Sequence, residues 1–133
     1  MENAILTNMK KPLIAGIAAL IVIAGLVAWG VYEGKKPGKY DALAQCISDS
    51  GAKFYGAFWC PHCANQKKEF GSSAKLLPYV ECSTPDGQGV LPVCQENEVK
   101  GYPTWVFADA SRINGEATLA ELSAKTMCPL PLE

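Results

Sequence analysis

An excess of positive charge is missing from this sequence. It has 12 Lys and Arg against 13 Asp and Glu, a net charge of −1. A protein that binds nucleic acid through a dense basic surface needs surplus cations to neutralise phosphates, so that class is excluded. Charge of either sign is scarce, at 19% of residues against 49% apolar. A chain so apolar and so nearly neutral does not remain disordered. There is one histidine, His62, and a single Cys-x-x-Cys. A zinc site built from two such pairs is therefore lacking. The remaining cysteine spacing, Cys82 to Cys94, is poor for metal, and no metal ligand set is expected. No internal repeat or low-complexity tract occurs, and 133 residues are too few for two full domains.

Charge is absent altogether from Pro12 to Tyr32, PLIAGIAALIVIAGLVAWGVY. As a helix rising ~1.5 Å per residue, this run spans about 30 Å, the thickness of a bilayer's hydrocarbon. Trp29 and Tyr32 stand at one end, where amphipathic rings favour the membrane boundary. A cleaved signal peptide is the competing reading, with Ala28-Trp29-Gly30 as a cleavage site. The apolar run exceeds the roughly 7–15 residues of a signal core, so an uncleaved anchor is preferred. The expected organisation is a short tail (1–11), a transmembrane anchor (12–32), a linker EGKKPGK (33–39) and one folded domain (40–133). Lys10 and Lys11 before the span, against Lys35, Lys36 and Lys39 after it, mildly oppose an outside C-terminus.

The domain reads as alternating helices and strands, an α/β layer fold. Asp41 is a candidate cap for a helix carrying Leu43, Ala44 and Ile47, stopped at Gly51. KFYGAFW (Lys53–Trp59) predicts a buried strand, and Ala64–Phe70 predicts a helix. Tyr79–Cys82 is a second strand, Ser83–Gly89 a loop and Leu91–Asn97 a short helix. Thr104–Ala108 predicts a third strand, Arg112–Asn114 a weak fourth, and Thr118 caps a last helix.

Chemistry concentrates in Cys60-Pro61-His62-Cys63, between the first strand and its helix. Two cysteines three apart can close a disulfide across one helical turn. Cys60 lies where unpaired N–H groups and the helix dipole favour an anion, and a thiolate is the species that attacks disulfides. Pro61 suits the first helical turn, where its missing N–H costs nothing. Cys63, one turn in, can resolve a mixed disulfide, and His62 can further favour the Cys60 thiolate. Stabilising the reduced form makes the pair more oxidising. Thioredoxin and the bacterial oxidase DsbA stand at about −270 and −120 mV, a gap of roughly 7 kcal/mol for two electrons. CPHC leans toward the oxidising end.

Some 40 residues further on, VKGYPTWVF (Val99–Phe107) places Pro103 at the mouth of an apolar strand. CPHC after an aromatic strand, with GYPTW at this distance, resembles the thioredoxin fold: about four mixed strands flanked by helices, here preceded by one transmembrane helix. The resemblance implies that Pro103 is a cis-proline facing the redox pair and that Tyr102 offers backbone groups to an extended substrate. Trp59 and Pro61, flanking Cys60, join them as candidate substrate contacts. YGAFWCPHCANQKKEFG, PYVEC and GYPTW look most like the thioredoxin-like domains associated with bacterial and plant vitamin K epoxide reductase homologues. That resemblance covers nearly all of Leu43–Lys125. It implies electron flow from thiols of secreted proteins, through CxxC, to a quinone-reducing membrane enzyme. One span cannot contain that enzyme, so it would be a separate partner. It also implies a Cys82–Cys94 disulfide around the Ser83–Gly89 loop, with roughly 2–3 kcal/mol of entropic stabilisation. Cys46 and Cys128 then either tie the domain ends together, the preferred pairing, or stay free. Structural disulfides do not persist in a reducing cytosol. The domain is therefore expected outside the cytoplasmic membrane, with no cofactor. Ordinary thioredoxins carry a buried acid six residues before the first cysteine. Here Phe54 holds that position, which argues against an efficient thioredoxin-type reductase. The alternatives are a tethered reductase for cytochrome or metal-site maturation, an isomerase or chaperone-like binder, and a zinc module.

Overall fold

The computed structural model describes residues 2–34 and 37–131, with side chains for 14–32 and 37–131. The chain divides into two compact units, Met1–Lys36 and Pro37–Glu133. The first holds one helix, α1 (Glu2–Gly34). Its segment Ile14–Tyr32 is long and apolar enough to cross a membrane, as an anchor or a signal sequence would be. Large apolar side chains such as Leu20, Ile21, Leu26 and Trp29 are exposed along it, so nothing in the unit covers them.

The second unit is an α/β layer around a four-stranded mixed sheet in the order β2-β1-β3-β4. The strands are β1 (Lys53–Gly56), β2 (Tyr79–Glu81), β3 (Thr104–Val106) and β4 (Arg112–Asn114). β1 runs parallel to β2 and antiparallel to β3, with Phe54 opposite Tyr79 on one side and Trp105 on the other. β4 closes the edge antiparallel to β3. The helices are α2 (Asp41–Asp49), α3 (Pro61–Phe70), α4 (Pro92–Glu96) and α5 (Leu119–Thr126).

The core forms where the sheet's aromatics meet the apolar faces of α2, α3 and α5. Phe54 and Trp105 are fully buried and stack at 4.6 Å with their planes 9° apart, and Tyr79 meets Phe54 edge-on at 5.2 Å. Leu43, Ala44 and Ile47 from α2, Phe70 from α3 and Leu122 from α5 complete it. Two disulfides staple this small unit. Cys46 on α2 is bonded to Cys128 just beyond α5, and Cys82 after β2 to Cys94 in α4.

Thr118 caps α5 with a reciprocal box: its hydroxyl accepts from Glu121 N–H, and Glu121 Oε2 accepts from Thr118 N–H. Three expectations change. Tyr40, not Asp41, is the residue before α2; Asp41 opens the helix and its Oδ2 accepts the Gly38 N–H at 2.9 Å. β1 ends at Gly56 rather than Trp59, because the chain there leaves the sheet to present Phe58 and Trp59. A 3-10 segment, Gly71–Leu76, follows α3 where no element was expected.

Candidate functional site

β1 delivers the chain to the site, and α3 begins there. Cys60 is the residue before α3, with extended backbone, and Pro61 is its first helical residue. The Cys63 N–H donates to Cys60 Sγ at 3.3 Å, so an orphan donor of the first turn is aimed at the first sulfur. Cys60 and Cys63 are the two cysteines outside the disulfides, 5% and 1% exposed. Both are buried, Cys63 the more completely. Burial and the neighbouring Cys60 push the Cys63 thiol up to about 12. Cys63 is therefore held protonated at neutral pH.

The loop before β3 approaches from the other side. Tyr102–Pro103 is a cis peptide bond, and its carbonyl oxygen lies 3.6 Å from Cys60 Sγ, which donates to it. Pro103 is buried and Tyr102 half-buried. The Tyr102 ring meets Trp59 edge-on at 6.0 Å, and partial burial raises its phenol. Trp59 Nε1 donates to Ser83 Oγ at 2.8 Å, which links the site to the loop bracketed by Cys82 and Cys94. Cys60, Cys63, Trp59, Tyr102 and Pro103 thus converge. Pro61 is exposed on the rim.

His62 is also exposed, and its Nδ1 lies 2.6 Å from Glu116 Oε1. That bond holds the Glu116 carboxyl below its usual range. Cys82 and Cys94, bonded to each other, are not available as metal ligands. No group of three or more His, Cys, Asp or Glu among the described residues is placed to hold a metal ion.

The sequence reading missed three residues. Gln66 is fully buried. Its Oε1 accepts from Ala117 N–H at 2.7 Å and Trp105 Nε1 at 3.2 Å, and its Nε2 donates to Ala117 O at 2.9 Å. It locks α3 to β3 and to the segment that carries Glu116. Its signal was spacing: Cys63, Gln66 and Phe70 share the buried face of α3. Glu81 ends β2, where Oε1 accepts from the N–H groups of Phe58, Cys82 and Ser83 at 3.2, 3.1 and 2.9 Å. Gly56 is the third. A methyl there would lie 2.9 Å from Cys63 Sγ, closer than atoms pack, so only glycine lets the buried sulfur reach β1.

No family model matches the chain. It is similar to the Thiol-disulfide oxidoreductase LTO1 of Arabidopsis thaliana, 47% identical over 90 residues, which cover 64% of this chain and 23% of that protein. The Thioredoxin domain-containing protein 5 homolog of Drosophila melanogaster is 33% identical over 104 residues, 70% of this chain and 25% of that protein. The chain spans about a quarter of the length of these curated relatives.

Proposed function

We propose that this chain is a membrane-tethered thiol–disulfide oxidoreductase, with α1 as its anchor and the thioredoxin-like domain on the extracytoplasmic side. It oxidises thiols of secreted proteins and passes the electrons to a quinone-linked, vitamin K epoxide reductase-like membrane partner. The observation that carries this reading is the cysteine pair at the start of α3. Cys60 sits beside the Tyr102 carbonyl at the head of α3, with a more deeply buried thiol one turn behind. The relative named as a thiol-disulfide oxidoreductase supports the same chemistry. Two structural disulfides support an oxidising compartment. The membrane partner rests on the resemblance of Tyr55–Gly71, Pro78–Cys82 and Gly101–Trp105 to domains that accompany such enzymes. Tethering would raise the local concentration of the two proteins for each other.

In the oxidising cycle a client thiolate attacks the sulfur of Cys60 in the Cys60–Cys63 disulfide. The S–S bond breaks, Cys63 leaves as the thiolate and takes up a proton, and a mixed disulfide forms at Cys60. A second client thiolate attacks the client sulfur of that mixed disulfide. The client is released oxidised, and Cys60 and Cys63 are left reduced. Trp59, Pro61 and Tyr102 flank the attacked sulfur and form the client-facing surface, with Pro103 buried behind it and His62 on its rim.

The test uses the full-length chain in detergent with a reduced, unfolded secreted protein as client. Cys60→Ser abolishes disulfide transfer from the oxidised chain, and Cys63→Ser, its Cys60 first loaded with thionitrobenzoate by Ellman's reagent, exchanges that group for client thiolate and accumulates client on Cys60 as a mixed disulfide. Transfer that survives in Cys60→Ser refutes the assignment. A potential of the CPHC pair well below the glutathione range would reverse the direction to reduction.

A further inference from the structure

A buried thiol that must gain and lose a proton each cycle needs a group to exchange it with. β1 offers none next to Cys63, since Phe54 is apolar and stacked away on Trp105 and Gly56 has no side chain. Across Gly56 stands Tyr79 of β2. A methyl on Gly56 would lie 2.9 Å from Cys63 Sγ, 2.8 Å from Tyr79 Cε2 and 3.4 Å from the Tyr79 hydroxyl. The thiol and the phenol therefore border one small gap that glycine leaves open. Behind the phenol the path continues. Tyr79 Oη donates to Glu81 Oε2 at 2.8 Å, while three backbone N–H groups hold Glu81 Oε1 in place. Lys67 of α3 lies with Nζ 3.4 Å from the centre of the Tyr79 ring, and Cys60 and Tyr102 complete the titratable groups around this cluster.

We propose that Tyr79 and Glu81 form the proton path of Cys63. When Cys63 resolves a mixed disulfide, its proton passes to Tyr79 Oη as Tyr79 gives its own to Glu81 Oε2. The Cys63 thiolate attacks Cys60 Sγ, the Cys60–Cys63 bond forms, and the client sulfur leaves with the displaced electron pair. When a client opens the Cys60–Cys63 disulfide, the same groups return the proton to the departing Cys63 thiolate. Tyr79 stays a neutral relay because burial and the Glu81 carboxylate hold its phenol well above the ordinary range. Glu81 acts through Tyr79 and is a positioning residue.

This inference rests on the oxidoreductase reading above, and the experiment separates the two. Reduced full-length chain is mixed with Ellman's reagent, and thionitrobenzoate release is followed by stopped flow across pH. The first phase is attack by Cys60, and the second is displacement by Cys63. General-base assistance is worth ~10²–10⁴-fold, so Tyr79→Phe is expected to slow the second phase at least about tenfold near neutral pH. Its rate should then climb roughly tenfold per pH unit, as hydroxide replaces the lost acceptor, while wild type varies little. Glu81→Gln keeps an acceptor for the backbone N–H groups and should show the same steep profile; if it does not fold, Tyr79→Phe decides alone. Superimposable second-phase profiles for wild type and Tyr79→Phe overturn the path while leaving the oxidoreductase intact. A wild type without a second phase overturns both.

Discussion

Gln66→Leu tests how α3 is held. Gln66 is fully buried, and its amide satisfies three groups at once: the Trp105 indole N–H, the Ala117 N–H and the Ala117 carbonyl. Trp105 and Ala117 are 0% and 1% exposed, so water does not replace the lost partner. Each buried group left unsatisfied costs about 1–3 kcal/mol. Leucine keeps most of the volume, so the cavity contribution is small and the orphaned groups dominate. Three of them, with partial relaxation, give roughly 3–5 kcal/mol. For a unit of this size each kcal/mol lowers Tm by about 4–8 °C, so the drop should be at least about 12 °C. Thermal unfolding of the full chain by near-UV circular dichroism reports it through Trp105. The control is Asn65→Ala, one residue away and exposed, whose 3.4 Å contact to Glu116 should matter by less than about 0.5 kcal/mol. A Gln66→Leu shift no larger than that of Asn65→Ala would refute the reasoning.

The two structural disulfides should differ in worth. By loop-closure entropy, Cys46–Cys128, 82 residues apart, contributes about 4.5 kcal/mol, and Cys82–Cys94, 12 apart, about 3. Denaturant unfolding of Cys46→Ser/Cys128→Ser against Cys82→Ser/Cys94→Ser checks the order, and a reversed order contradicts it. Glu116, lowered by its His62 hydrogen bond, carries a signed pH effect. A depressed carboxyl adds stability that is present above its unfolded value and lost as pH falls through the folded one. Glu116→Gln should therefore melt slightly below wild type near neutral pH, with the gap closing below about pH 4; a gap that widens in acid contradicts this.

What the sequence disclosed was whatever depends on neighbours along the chain. Pro61 at the head of α3, the Thr118 box, the aromatic strand through Phe54 and the Pro103 turn are all local chemistry. What it hid depends on distant partners. β1 stops at Gly56 because Glu81, 23 positions from Phe58, takes the Phe58 N–H that a longer ladder would have used. Asp41 misled as a cap, since its carboxylate turns back to Gly38. Gln66 and Glu116 join the site across about fifty residues of chain, through contacts no short window contains.

The surroundings of the two cysteines differ, and that difference follows from the short sheet. β1 is four residues long and β2 three, and they end together, with Gly56 paired to Glu81. The end of β1 is glycine, which admits the Cys63 sulfur, and the end of β2 is glutamate, whose backbone-held carboxylate reaches the Tyr79 hydroxyl. A longer β1, as Lys53–Trp59 would have been, would draw Phe58 and Trp59 into the ladder and away from the Gly87 side of the site loop. Trp59 would then lose Ser83, and the Glu81 carboxylate would lose the Phe58 N–H. Ending the strand early is thus what gives one sulfur an aromatic rim and the other a protein-lined gap bordered by Tyr79.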